Sequence, residues 1–62
     1  MTNKHIKLLE EFKKINTSVK VVDAKELVGE PYAHNGLAIK VILSNGNWLR
    51  VYRTSSGELN WY

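Results

Sequence analysis

The sequence predicts an α+β fold: an N-terminal amphipathic helix packed on one face of a small antiparallel sheet that ends in a three-stranded meander. Three observations lead there. Apolar residues between Asn3 and Ile15 recur at helical spacing. The run from Leu37 to Tyr62 is dense in aliphatic and aromatic residues. That run is cut at Ser44-Asn45-Gly46 and Ser55-Ser56-Gly57, short polar segments that each end in glycine. The expected order is helix, strand, short helical turn, then the meander strands, all within one domain covering residues 1–62.

In the helix, the spacing of Ile6, Leu8, Leu9, Phe12 and Ile15 gathers most of them on one stripe, Leu8, Phe12 and Ile15 with Leu9 beside them, while Lys7, Glu10, Glu11 and Lys14 lie opposite. Lys7 with Glu11 and Glu10 with Lys14 stand at i,i+4, and Thr2 or Asn3 can cap the start. The stripe is a natural cover for the aliphatic side of a sheet. Asn16-Thr17-Ser18 ends the helix, and Val19-Lys20-Val21-Val22 is β-branched enough to form a short strand, whose pairing the sequence leaves open. Asp23-Ala24-Lys25-Glu26 has the form of a helix N-cap with a carboxylate three residues on, so a single helical turn is expected before Gly29. The stretch Glu30 to Gly36 reads as a loop: Pro31 biases Glu30 toward extended backbone and Asn35-Gly36 turns the chain into the meander.

The register of the meander decides which side chains share a face, because a slip of one residue moves all of them. If Asn45-Gly46 forms a two-residue turn, Val41 faces Arg50 and apolar and charged side chains mix. If Ser44 and Asn45 instead centre a type I turn and Gly46 is a left-handed bulge residue, Ile42 pairs with Trp48, Val41 with Leu49 and Ile39 with Val51. The same construction at Ser55-Ser56-Gly57 sets Arg53 opposite Leu59, Val51 opposite Trp61, Tyr52 opposite Asn60 and Arg50 opposite Tyr62. Both turns then sort the residues alike. One face carries Leu37, Ile39, Val41, Leu43, Leu49, Val51, Leu59 and Trp61; the other carries Lys40, Ile42, Trp48, Arg50, Tyr52, Asn60 and Tyr62.

Composition bounds the function. A chain of 62 residues buries only about 60% of its unfolded surface, so its core is small. It has no cysteine, hence neither disulfides nor a thiolate metal site. No apolar run approaches the roughly 20 residues a membrane helix needs, and acidic residues interrupt the N-terminal stretch, which predicts a cytoplasmic protein without membrane contact. The net charge of +3 favours an anionic partner mildly. His5 and His34 are the sole histidines and lie far apart in sequence, the carboxylates are scattered, and no glycine-rich phosphate cradle is present. We therefore expect no enzyme, no catalytic residue, no metal and no cofactor.

What remains is the face that interleaves rings with cations. Trp, Tyr and Arg are the residues enriched at protein–protein hot spots, and aromatics beside cations on adjacent strands also suit single-stranded nucleic acid. The expected partner-binding residues are Lys40, Trp48, Arg50, Tyr52 and Tyr62, with Tyr32 and His34 as loop contacts. A protein partner is favoured over nucleic acid, because the face holds only Lys40 and Arg50 with Arg53 at its rim. The reading is a small binding module acting as a regulator or inhibitor. Its alternatives are single-strand nucleic-acid binding, or a structural or homodimerising role through the C-terminal strand.

Overall fold

The computed structural model describes residues 1–29 and 37–62. The expected loop from Glu30 to Gly36, with Tyr32 and His34, lies outside the described residues. Helix α1 spans Asn3–Ile15, followed by strands β1 (Val21–Leu27), β2 (Ala38–Leu43), β3 (Trp48–Arg53) and β4 (Leu59–Trp61). These strands form one antiparallel sheet in sequence order. The α+β architecture read from the sequence is the one observed.

Helix α1 starts at Thr2, whose hydroxyl accepts the His5 N–H, while His5 Nδ1 accepts the Thr2 N–H at 3.3 Å. His5 thus fills the place glutamate usually takes in a capping box, satisfying donors that the helix itself cannot. At the other end, Phe12 O accepts both the backbone N–H and the side-chain amide of Asn16, at 2.9 and 3.1 Å. The helix is amphipathic for a reason visible in the packing. Leu8 and Phe12 are fully buried against Ile39, Val41 and Val51, and Leu9, Val19, Val21, Leu37, Leu43, Leu49, Leu59 and Trp61 pack around that centre. Phe12 meets Trp61 edge to face with centroids 5.3 Å apart. Burying side chains of this kind stabilises the fold by about 1.5–3 kcal/mol each. Ile15, expected on the stripe, is instead exposed, and so is Ile6.

Both hairpins adopt the bulged register. Leu43 N–H donates to Asn47 O at 2.8 Å and Gly46 N–H to Leu43 O at 3.1 Å; Thr54 and Gly57 repeat the pattern with Glu58 O and Thr54 O. Gly46 and Gly57 sit at φ of +90° and +89°, a region where a Cβ is strained and glycine is not. The resulting pairs include Ile42 with Trp48, Lys40 with Arg50, Val51 with Trp61 and Tyr52 with Asn60.

The second element departs from expectation. Residues Val21–Leu27 form one continuous strand, so neither a strand confined to 19–22 nor a helical turn at Asp23-Ala24-Lys25-Glu26 exists. β1 pairs with β2, and its register shifts between Val21 and Asp23, leaving Val22 as a bulge residue. The Asp23 carboxylate does accept a neighbouring backbone N–H, that of Ala24 at 2.8 Å. A strand wins because seven residues can pair with the full length of β2, whereas one isolated helical turn fixes several dihedrals for little hydrogen bonding.

Candidate functional site

Helix α1 covers one face of the sheet; among the described residues no element packs on the other. The register arranges that open face in rows running across the strands. Asp23, Ile42 and Trp48 form the first row. Lys25, Lys40 and Arg50 form the second, extended by Tyr62, whose N–H and C=O both bond to Arg50 at 3.0 and 2.7 Å. Leu27, Ala38, Tyr52 and Asn60 form the third.

All five residues expected at the binding face are on it, and they touch. Lys40 Nζ stands 4.5 Å from the centre of the Trp48 ring and the Arg50 guanidinium 4.4 Å from the same ring. Arg50 also lies 4.9 Å from the centre of the Tyr62 ring, and Tyr52 meets Tyr62 edge to face at 6.1 Å. Trp48 and Tyr62 remain 41% and 54% exposed, while Lys40, Arg50 and Tyr52 are half-buried. Cation–π contacts of this exposure contribute about 0.5–1 kcal/mol each, so the cluster fixes the orientation of its own members.

Two cations were assigned differently from the sequence. Arg53 is no rim residue of this face. It shares the side of Leu59, forms an ion pair with Glu11 of α1 and donates to Gly57 O at 2.7 Å. Glu11 therefore engages a strand residue, where an i,i+4 pair with Lys7 was expected. Conversely, Lys25 belongs to the face and was missed, because the residues around it imitate a helix start. The signal that could have found it is the alternation Asp23, Lys25, Leu27 on one side and Ala24, Glu26 on the other, legible only once the bulge at Val22 is allowed.

Elsewhere, His5 Nδ1 lies 3.8 Å from Glu26 and 2.6 Å from the Thr2 hydroxyl, within the cap of α1. Among the described residues no group of three or more His, Cys, Asp or Glu side chains could hold a metal ion. No helix among them is long and apolar enough to cross a membrane. An open trough beside α1, lined by Lys7, Glu10, Glu11, Lys13, Lys14 and Arg53, mixes cations and carboxylates. Compared with known protein families, curated proteins and solved structures, the chain matches none.

Proposed function

We propose that this chain is a small non-catalytic binding module, a regulator or inhibitor that docks a protein partner through the open sheet face centred on Trp48, Arg50 and Tyr52. The observation that carries the reading is the division of labour between the two faces. On the helix side Leu8, Phe12, Ile39, Val41 and Val51 are fully buried, whereas on the far side, among the described residues, only the small side chain of Ala38 is. The large rings Trp48 and Tyr62 lie on the far side, partly exposed and held by cations. Rings pre-oriented in this way bring contact area with few rotors to freeze, which is what anchors at protein interfaces supply.

A protein is favoured over single-stranded nucleic acid for two reasons. Bases bind such sheets by stacking on open rings, and here the Trp48 ring already has two cations of its own chain against it. Phosphate neutralisation also draws on several cations, and with Arg53 committed to Glu11 the face holds no more than Lys25, Lys40 and Arg50 among the described residues.

The test is site-specific photo-cross-linking in the native cellular background, with the reactive residue at Asn60 on the open face and, as control, at Lys13 on the exposed side of α1. A discrete protein adduct from position 60, absent from position 13 and lost in Trp48→Ala, is expected. An adduct from position 13 alone, or one that survives Trp48→Ala, contradicts the reading.

A further inference from the structure

Resting on that docking reading, we infer that the partner presents a stripe of carboxylates, and that Lys25, Lys40 and Arg50 form the row that receives it. These three residues are directly opposed on adjacent strands: Lys25 pairs with Lys40 and Lys40 with Arg50. Neighbouring strands lie about 4.7–4.9 Å apart, so three like charges fall in a line about 10 Å long. Like charges directly opposite each other destabilise a sheet. Nothing in the packing of the core calls for this arrangement, since these side chains point away from α1.

Within the chain the repulsion is only partly relieved. Lys40 and Arg50 have the Trp48 and Tyr62 rings. Among the described residues, Lys25 has neither a ring nor a carboxylate partner, and no side-chain carboxylate pairs with Lys25, Lys40 or Arg50. Asp23, one row away, is turned to the Ala24 N–H. An opposing line of carboxylates supplies the missing counter-charge, and the guanidinium of Arg50 offers a planar fork for one of them.

The geometry further points to a helix as the element that carries the stripe. Carboxylates at i and i+4 of a helix have Cβ atoms about 5–6 Å apart, close to the step between the strands, whereas i and i+2 of an extended chain stand about 6.7 Å apart. Ile42 and Trp48 flank the cation row on one side and Leu27 and Tyr52, on either side of the fully buried Ala38, on the other. Apolar residues either side of a glutamate stripe on the partner would pack on these flanks, giving an interface with charge confined to a central line.

The probe is a synthetic helical peptide, fluorescein-labelled, with Glu at i, i+4, i+7 and i+11 flanked by Leu. Its Glu→Gln counterpart and an oligothymidine serve as comparisons, all titrated by fluorescence anisotropy at low and moderate salt. The expected result is a preference of about tenfold or more for the Glu peptide, reduced by added salt, and lost in both Lys25→Glu and Lys40→Glu while the Gln peptide is unaffected. Equal binding of the two peptides, no binding of the Glu peptide at low salt, or tighter binding of oligothymidine overturns the inference. If the Glu peptide fails while the adduct at position 60 persists, the acidic stripe is refuted and the docking face stands; if both fail, both fall.

Discussion

Replacing Lys40 by glutamate should make the protein more stable and less able to bind. Lys40 stands between Lys25 and Arg50 in the cross-strand row. Taking a charge separation of about 6 Å in a water-like dielectric, each contact is worth about 0.7 kcal/mol of repulsion, and reversing the central charge swings each by about 1.4 kcal/mol. Screening at 0.1 M salt, with a Debye length of about 10 Å, reduces each swing to about 0.8 kcal/mol, and both together to about 1.6 kcal/mol. The variant forfeits the contact of Lys40 with the Trp48 ring, about 0.5–1 kcal/mol at such exposure. The net is a gain of about 0.5–1 kcal/mol, which in a domain this small raises the Tm by about 2–8 °C. Thermal denaturation followed by circular dichroism, at 0.1 M and 1 M salt, measures it. The gain should shrink in high salt. A Tm that falls, or rises equally at both salt concentrations, would refute the claim that the row is electrostatically strained.

The remaining predictions concern the scaffold. Phe12→Ala removes a fully buried ring from the centre of the core and its contact with Trp61, a loss of about 3–5 kcal/mol. For a domain whose total stability is on the order of 3–9 kcal/mol, urea denaturation should show cooperative unfolding abolished or shifted to very low denaturant. Gly46→Ala should cost about 1–2 kcal/mol; a Cβ there meets nothing within 4 Å, so the cost is backbone strain at φ +90° and Gly46→Asn should recover part of it. Glu11→Ala breaks a partly exposed ion pair and should lower stability by less than about 1 kcal/mol. Arg53→Ala should cost more, because Arg53 also donates to Gly57 O and ties the second hairpin.

The parts of this fold legible in the sequence are those where two local signals agree. In the meander, period-2 alternation and the glycines at 46 and 57 independently specify one register, and the side chains they assign to each face are found there. In α1, the apolar spacing identified Leu8 and Phe12 as the covering residues. β1 was illegible because its signals conflict. The bulge at Val22 breaks the alternation, and Asp23-Ala24-Lys25-Glu26 carries polar residues in the order that starts a helix. As an outer strand with a hydrogen-bonded neighbour on one side only, β1 tolerates such residues, and pairing with β2 overrides their local preference. The consequence for the site is specific. Lys25 enters the open face and Arg53 leaves it, changing its charge from a loose pair with a rim residue to an ordered row.

The most direct test is Trp48→Ala, read in two ways on the same sample. Trp48 lies outside the core cluster, on the face turned away from α1. Thermal unfolding should stay cooperative, with the Tm lowered by no more than the few degrees its two cation–π contacts account for. The photo-cross-linked protein adduct from position 60 should disappear. A variant that no longer folds would show that the ring serves the scaffold, and a folded variant that still forms the adduct would show that the partner is not held by this face.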